Sequence, residues 1–524
     1  MQMFDLVIKN ALIYDGSGAA PFWGNVGIAE GKIVAVTSEP LANGTHEVDA
    51  QGLCLSPGFI DVHSHADYAF ADDPHRLHVL RMGVTTEIAG NCGKTLSPAL
   101  SEMEPSVQEF MNPDAKLYPS LKEELAEYAA WEIGPNQRYF AGHGPLRASV
   151  MGLRADAATD DEIRRMQDIL VNEMRQGAAG YSTGLSYVPG IYSNTHELTE
   201  LAKAIAPYGG IYTTHSRSES MGLFDSVAEC IHIAKDAKIP VNISHFKCVG
   251  QPFWERCEKA LNMIDEALAC GLDISLDAYP YTAASTTTLT AIPPKYLDKG
   301  AVAFAKSLEN PVIVEAIRKE IYEINDPSWD NSMYYVGLEN FLIVRADETP
   351  WAIGKTYAQV ADELGMKPFY AVVHLLKHNR GNVRECRFSM CEENVEMILK
   401  HPRCMVGSDG TIRKFDKINH PRGIGTFPRY LGRYIRERQI LSREEGIRRI
   451  TGMPAQRYGL KGKGFIKEGF DADLVLFDYD SIIDHADYVN PFQLNEGIYQ
   501  VYVGGKLNVQ NNEPMGNWNG KIIR

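Results

Sequence analysis

The sequence predicts an α/β protein in which eight parallel strands alternate with helices and close into a (β/α)8 barrel. Eight short apolar runs, each ending in small or polar residues, recur along the chain. Stretches with helical periodicity separate them, such as DEIRRMQDILVNEMRQG and MIDEALACG. The strand candidates are SPGFIDVHSH, VTTEIAGNCG, RYFAGHG, GAAGYSTGL, GIYTTHSR, PVNISHFK, LDISLDAYP and CMVGSDG. Eight is the number of strands that closes a parallel barrel.

The two ends of the chain carry a different pattern. Residues 1–57 alternate apolar and polar residues with glycine and asparagine at the breaks, which is typical of short antiparallel strands. A matching pattern returns in residues 465–524. Because small isolated sheets are marginal in water, we expect both ends to form one small β-sandwich domain beside a barrel of residues 58–464.

The connection between the seventh and eighth strands is too long for one βα loop. It covers residues 283–402 and mixes two patterns, helical in NPVIVEAIRKEIYEI and VEMILKH and strand-like in MYYVGL and FLIVRAD. The sequence therefore predicts an insertion over the barrel, without indicating its role.

Composition and charge narrow the function classes. The 524 residues include 52 basic and 67 acidic side chains, and the net charge of -15 disfavours nucleic acid and anionic membranes as partners. The sequence lacks a signal-peptide pattern and an apolar run long enough to span a bilayer. Nine cysteines without CxxC pairs fit a reducing compartment. We therefore expect a cytoplasmic protein that acts on a small molecule; no pattern indicates its oligomeric state.

The ends of the predicted strands carry metal-ligand residue types. Residues two apart in a strand point to one side, so His63 and His65 project together. Five strands contribute such residues: His63, His65, Cys92, His215, His245 and Asp409. A lone histidine or cysteine in this position is usually structural, but the carboxyl ends of barrel strands meet at one mouth. Imidazoles with one thiolate suit Zn²⁺, with Co²⁺ or Mn²⁺ as alternatives, so the set predicts a zinc site.

These motifs resemble a known family. The HxH pair, the single histidines closing strands five and six, and the aspartate of GSDG resemble the amidohydrolase superfamily. GNCG, GYSTGLSYVPG, SHFK, DAYPYTAAST and HPRGIGTFPR are similar to the D-aminoacylase family, the N-acyl-D-amino-acid deacylases. The resemblance covers nearly the whole chain. It implies a metal-dependent hydrolase barrel flanked by a β-sandwich, and zinc-dependent hydrolysis of the amide bond of N-acyl-D-amino acids.

The resemblance also implies the metal ligands. Many binuclear amidohydrolases bridge their metals with a carboxylated lysine on strand four, but GAAGYSTGL contains no lysine. In the resembling family the strand-two cysteine takes this place, which implies that Cys92, His215 and His245 hold one tightly bound zinc ion. His63 and His65 would line a second, weaker metal position with Cys92.

Catalytic and substrate-binding roles follow from the same comparison of motifs. Asp409 is predicted to accept a proton from the attacking water and pass it to the amide nitrogen. A planar arginine binds a carboxylate through two parallel hydrogen bonds, and Arg422 in HPRG is similar to the carboxylate-binding arginine of the family. Tyr279 and Ser285 match positions whose hydroxyls complete this clamp.

Three further residues leave the side-chain specificity open. Lys247 could face an acidic substrate side chain or serve as a structural lysine behind His245. His143, at the end of strand three, is a secondary candidate for substrate contact. Lys94 follows GNCG where the family more often has an apolar residue, which adds positive charge near the metal. N-acyl-D-amino acids are the expected substrates, with N-acyl-D-glutamate and N-acyl-D-aspartate left open, so the choice between neutral and acidic side chains is undecided. The preference for D substrates is implied by the resemblance alone.

Two alternative functions remain. The first is an amidohydrolase acting on a cyclic amide, as hydantoinases and dihydropyrimidinases do, or on a dipeptide; the absent strand-four lysine, Cys92 and HPRG argue against it. The second is a non-catalytic scaffold with the amidohydrolase fold, against which the intact ligand set argues.

Overall fold

The computed structural model describes residues 4–100, 103, 107, 116–324, 326, 328–412 and 419–524. A strand occupies each of the eight predicted stretches. The strands, numbered in chain order, are β1 Phe4–Ile13, β2 Phe22–Ala29, β3 Lys32–Thr37, β4 Gly44–Asp49, β5 Cys54–Pro57, β6 Phe59–Asp61, β7 Val84–Ala89, β8 Asn136–Tyr139, β9 Ala141–Gly142, β10 Gly180–Gly184, β11 Ile211–His215, β12 Val241–Ile243, β13 Ile274–Ala278, β14 Ala283–Thr287, β15 Phe341–Arg345, β16 Arg384–Phe388, β17 Cys404–Val406, β18 Leu474–Phe477, β19 Ile498–Val503, β20 Lys506–Gln510 and β21 Glu513–Pro514.

The central strands pair in parallel. One sheet has the order β6-β7-β8 and a second has the order β9-β10-β11-β12-β13-β17. The amide of Phe140, the residue between β8 and β9, donates to the carbonyl of Ala89 over 3.0 Å. Beyond β6 and β17, Ser64 and Gly410 form a parallel bridge. The carboxyl ends of these strands therefore lie along one rim.

The helices follow the predicted periodicity. The α-helices are Ala66–Ala69, Leu77–Leu80, Leu121–Tyr128, His143–Met151, Asp160–Gln176, Thr195–Ile205, Leu223–Ala237, Arg256–Ala269, Gly300–Ser307, Pro311–Tyr322, Ser332–Tyr335, Tyr357–Leu364, Pro368–His378, Glu392–Lys400, Arg422–Arg429, Arg443–Ile450 and Gly452–Arg457. A π-helix spans Tyr430–Glu437. Short 3-10 helices span Gly190–Tyr192, Ala206–Tyr208, Gln251–Phe253, Thr288–Ala291, Pro294–Tyr296, Leu338–Asn340 and Pro350–Ala352. No helix within these described residues is long and apolar enough to cross a membrane.

The helix Asp160–Gln176 illustrates how the sequence sets an element. Thr159 accepts a hydrogen bond from the amide of Glu162, and the Glu162 side chain accepts one from the amide of Thr159, which forms a capping box. Gly177 ends the helix in a left-handed conformation with φ of 110°. The buried side chains recur at three- or four-residue spacing: Ile163, Met166, Leu170, Glu173 and Met174.

The region 283–402 has its own sheet and core. Its sheet has the order β14-β16-β15, and apolar side chains between Ala291 and Val383 form a separate buried cluster. The strand predicted in FLIVRAD is confirmed as β15, and the helices predicted in NPVIVEAIRKEIYEI and VEMILKH are confirmed. The prediction of a strand in MYYVGL is wrong, because Ser332–Tyr335 is a helix. The Asn331 side chain caps this helix by accepting a hydrogen bond from the amide of Tyr334.

Strands from both ends of the chain share one mixed sheet of nine strands. Its order is β21-β20-β19-β18-β5-β1-β2-β3, and β4 pairs with β1. The antiparallel pairing of β18 with β5 sets Leu474 opposite Pro57 and joins the two ends. Leu6, Ile28 and Leu476 belong to the buried apolar cluster of this sheet.

Candidate active site

The predicted metal ligands converge at the carboxyl ends of the central strands. The Sγ atom of Cys92 lies 3.3 Å from Nε2 of His63, 3.4 Å from Nε2 of His245 and 3.9 Å from Nδ1 of His215. Three groups bring their ligand atoms within 4.8 Å of one another: His63, His65 and Cys92; Cys92, His215 and His245; and His63, His245 and Asp409. Cys92 belongs to two of the groups, so its sulfur lies between two candidate metal positions.

The electrostatics of the centre favour a thiolate. Burial opposes ionisation of Cys92, but the charges of His63 and His245 hold the pKa of its thiol well below the ordinary value. The thiolate is the form of cysteine that binds metal. The donor set therefore fits zinc, which binds sulfur and imidazole nitrogen.

Strained turns place three of these side chains. Cys92, His245 and Asp409 have φ values of 56°, 35° and 51°, in the left-handed region that residues other than glycine seldom occupy. Such conformations persist where the surrounding structure enforces them, and they concentrate at functional sites. The backbone is also closely packed in this region, because a Cβ atom on Gly407 would lie 2.4 Å from the Cβ atom of His63.

Asp277 supports two of the predicted ligands from β13. Its Oδ1 atom accepts a hydrogen bond from Nδ1 of His63 over 3.1 Å and from the amide of His245 over 2.8 Å. Its Oδ2 atom accepts one from the Asn242 side chain over 2.7 Å. The His63 ring is thereby held with Nε2 toward Cys92. Sequence reasoning missed Asp277, although an aspartate inside the apolar run LDISLDAYP was a signal for it.

Glu219 is a second residue that sequence reasoning missed. Its Oε1 atom lies 3.1 Å from Nδ1 of His245 and accepts a hydrogen bond from Nζ of Lys247 over 2.6 Å. Burial opposes ionisation of Glu219, but the charge of Lys247, followed by that of His215, holds its pKa below the ordinary value. Lys247 lines the cavity, yet its charge is paired with Glu219 behind His245.

Asp409 lies between the predicted metal ligands and an arginine. Its Oδ1 atom is 3.1 Å from Nε2 of His65, and its Oδ2 atom is 2.8 Å from Nη1 of Arg422. Burial opposes ionisation, but Arg422, followed by His65, holds the pKa of this carboxyl well below the ordinary value. Asp409 is therefore ionised, which is the state from which a general base starts.

The predicted substrate clamp also assembles around Arg422. Its guanidinium lies 4.8 Å from the centre of the Tyr279 ring, and Nη2 donates to the Ser285 carbonyl over 3.3 Å. Within the described residues, the buried hydroxyls of Tyr279 and Ser285 find no hydrogen-bond partner of good geometry. Buried polar atoms of this kind usually await a ligand or water.

His143 is the one predicted site residue that lies apart. Its Nε2 atom is 2.8 Å from Oε1 of Glu197, which also lies 3.3 Å from Nε of Arg147. All three side chains are buried, and His143 does not line the cavity. The structure thus sets His143 in a charged cluster behind the rim rather than with the other candidates.

A cavity of about 1240 Å³ opens from the centre. The central parallel strands and region 283–402 both contribute to its wall. Region 283–402 contributes Arg345 and Arg384, among other residues. Region 283–402 therefore completes the space in front of the predicted metal ligands.

Comparisons with known proteins agree with this site. The model of the amidohydrolase family matches residues 46–508. A D-aminoacylase of Alcaligenes xylosoxydans xylosoxydans is 31% identical over 523 residues, covering 100% of this chain and 98% of the relative. These matches confirm the resemblance inferred from the motifs.

Two solved structures are similar over their full length. One is an N-acyl-D-glutamate deacylase from Bordetella bronchiseptica in complex with zinc and a phosphonate inhibitor that mimics the tetrahedral intermediate, with a TM-score of 0.85, 29% identity and 100% of both chains covered. The other is a D-aminoacylase with a binuclear metal centre, described by one-metal activation and second-metal attenuation. It has a TM-score of 0.85 and 29% identity, with 99% of this chain and 100% of that chain covered.

Proposed function

The chain belongs to the amidohydrolase family, and we propose that it is a zinc-dependent hydrolase that cleaves N-acyl-D-amino acids into a carboxylate and a free D-amino acid. The observation that carries this proposal is the position of Asp409 between His65 and Arg422. A proton carrier beside the metal ligands and a carboxylate-binding arginine are what an N-acyl amino acid requires.

Cys92, His215 and His245 would hold the tightly bound zinc ion. His63 and His65, together with Cys92, would hold a second and weaker one. The Cys92 thiol favours the ionised form and belongs to both groups of candidate ligands, which supports this assignment. When bound, zinc supplies Lewis-acid chemistry, since it polarises an amide carbonyl and lowers the pKa of a water molecule.

The chain's own residues handle the proton and the substrate carboxylate. Asp409 accepts a proton from the attacking water and donates it to the leaving nitrogen, so that the amine departs neutral. The guanidinium of Arg422 binds the substrate carboxylate, with the unpaired hydroxyls of Tyr279 and Ser285 as additional donors. Lys247 supports His245 through Glu219 and also borders the cavity.

The architecture we propose is a (β/α)8 barrel over residues 58–464, with an insertion at 283–402 and a β-sandwich built from 1–57 and 465–524. The Ser64–Gly410 bridge supports closure of the ring, and the pairing of β18 with β5 supports a shared terminal domain. We place the enzyme in the cytoplasm with a small-molecule substrate, because all nine cysteines are free and the net charge is -15.

The test is amine release from zinc-loaded protein supplied with matched N-acetyl-D- and N-acetyl-L-amino acids, both neutral and acidic. We expect hydrolysis of D isomers alone and loss of activity after chelation, with recovery on adding zinc. Absence of release from every D substrate by protein that carries zinc would contradict the proposal and direct attention to cyclic amides and dipeptides.

A further inference from the structure

Two cations at the cavity wall form no ion pair with a carboxylate of the described residues. Lys94 follows Cys92 by two residues, and its Nζ atom lies 3.5 Å from the centre of the Tyr187 ring. Arg384 is the first residue of β16. Both side chains line the cavity and are half-buried. In the part of the chain that the structure describes, neither side chain forms an ion pair with a carboxylate.

The other buried or half-buried cations that the structure describes on this wall are paired. Five ion pairs neutralise them: Arg217 with Glu229 at 3.1 Å, Lys247 with Glu219 at 2.6 Å, Arg345 with Asp347 at 2.8 Å, Arg387 with Glu385 at 2.7 Å, and Arg422 with Asp409 at 2.8 Å. Lys299 and Lys306 also line the cavity and form no ion pair within the described residues, but both are exposed to water. Among the described cations of the wall that are shielded from water, the unpaired charge is therefore confined to Lys94 and Arg384.

Arg384 also lies among like charges. Burial lowers its pKa, as does repulsion from Arg422 and Arg345, while the charges of Tyr187 and Asp409 act against this shift. Holding like charges together away from water is unfavourable unless an anion joins them. Because both cations line one cavity, the structure favours a bound anion at this wall.

We propose that Lys94 and Arg384 bind a second carboxylate of the substrate, so that the preferred substrates are dicarboxylic N-acyl-D-amino acids. This rests on the proposed function, in which Arg422 takes the α-carboxylate. The Tyr187 ring that the Lys94 ammonium contacts lies 4.9 Å, between ring centres, from the predicted metal ligand His215, so this ammonium lies close to the predicted metal site. The second carboxylate must then lie a few bonds from the scissile amide, either on the amino-acid side chain or on the acyl group.

The test compares substrates that differ in one charge. N-Acetyl-D-glutamate is matched with N-acetyl-D-glutamine, and N-succinyl-D-alanine is matched with N-succinamoyl-D-alanine. We expect one pair to show a kcat/KM about 10-fold or more higher for the acid, as charge-assisted hydrogen bonds predict. The pair that shows it identifies whether the side chain or the acyl group carries the second carboxylate.

Variants assign the preference to the two cations. Lys94→Met and Arg384→Met should each reduce the ratio between acid and amide toward one. Lys306→Met is the matched control, because Lys306 is an exposed cation on the same cavity wall and its loss should preserve the ratio. Since each ratio is measured within one variant, differences in the amount of folded protein cancel.

The outcomes separate the two proposals. Equal kcat/KM for acid and amide in both pairs, with N-acetyl-D-glutamine still hydrolysed, overturns the dicarboxylate inference and leaves the proposed function intact. A preference that survives both substitutions also overturns it. Failure of every D substrate, neutral or acidic, contradicts the proposed function as well. The substrate ratios of the unmodified protein are enough to refute the inference, so it can be refuted even if a variant does not fold.

Discussion

The Nδ1 atom of His63 lies 3.1 Å from Oδ1 of Asp277, a residue 214 positions further along the chain. The same oxygen accepts the amide proton of His245 over 2.8 Å. One buried carboxylate thus orients a predicted ligand of the weaker metal position and fixes the backbone of a predicted ligand of the tighter one. Ligating histidines commonly donate their second ring N–H to such a carboxylate, which raises their basicity.

Asp277→Asn should therefore weaken zinc binding by about 10- to 100-fold, because the amide is a poorer partner for the imidazole. Competition with a coloured chelator measures the affinity directly. Asp273→Asn is the control, since Asp273 precedes β13 and pairs with Arg457 at 2.7 Å, away from the ligands. Equal zinc affinity of the Asp277 variant and the control would remove Asp277 from the support of the metal.

Asp409→Asn should keep its zinc and lose turnover. Asparagine matches aspartate in size but cannot accept a proton, and general acid–base groups contribute about 100-fold or more to a rate. Metal analysis and kcat are measured on the same sample. Asp347→Asn, at an exposed carboxylate of the cavity wall, serves as the control. Retained kcat in Asp409→Asn would exclude Asp409 as the proton carrier.

Arg422→Lys should raise KM for N-acyl-D-amino acids much more than it lowers kcat. A point ammonium cannot reproduce the two parallel hydrogen bonds of a guanidinium. Steady-state kinetics with one good substrate give both constants. Arg429→Lys is the control on the same helix, because Arg429 donates to the Pro280 carbonyl over 2.7 Å and faces Asp484. An unchanged KM in Arg422→Lys would place the substrate carboxylate elsewhere.

Local patterns made the central strands and the convergence of the proposed metal ligands predictable. Each proposed ligand follows an apolar run, and the carboxyl ends of parallel strands meet, so sequence position translates directly into proximity. The run MYYVGL was mispredicted because a short aromatic stretch fits either a strand or a helix, and the capping by Asn331 decided it.

The supporting carboxylates were not predictable in the same way. Asp277 and Glu219 act through partners on other elements, and a single acidic residue in a strand or loop carries no local sign of its partner. The presence of Arg384 and Lys94 in one cavity wall is similar, since it depends on how region 283–402 folds against the rim. Contacts set by tertiary packing are invisible to periodicity and spacing.

Asp330 links region 283–402 to the segment beside the proposed metal ligands. Its Oδ2 atom accepts the amide proton of Glu219 over 2.7 Å, and its Oδ1 atom accepts hydrogen bonds from the hydroxyls of Ser218 and Ser220. Asp330→Ala leaves these donors without a partner, at a cost of about 1–3 kcal/mol each. We expect a lower Tm and faster loss of zinc to a chelator.

Asp326→Ala is the matched control for Asp330→Ala. Asp326 lies in the same segment but is exposed. Within the described residues, its side chain accepts a hydrogen bond only from the nearby amide of Ser328, over 2.9 Å. Its loss should leave zinc release unchanged. If Asp330→Ala lowers Tm without accelerating zinc loss, Asp330 stabilises the region and does not act through Glu219.

The buried carboxyl of Glu124 should make the stability of the fold depend on pH, independently of the metal. Burial raises the pKa of this carboxyl to about 8, well above the value of an exposed glutamate. Because the folded state holds the proton more tightly than the unfolded state, the stability is present at low pH and is lost as the pH rises toward about 8. Ser97 donates to its Oε2 atom over 2.5 Å, a bond that glutamine can accept through its carbonyl.

Glu124→Gln should therefore flatten the decline of Tm between about pH 5 and pH 8, because glutamine stays neutral throughout. Thermal melts of the zinc-loaded protein at several pH values measure this. Glu127→Gln on the same helix is the control: Glu127 pairs with Lys116, and a hydrogen bond from that lysine lowers its pKa, so this substitution should not flatten the decline. Parallel Tm curves for Glu124→Gln and the unmodified protein would mean that Glu124 is already ionised in the folded state.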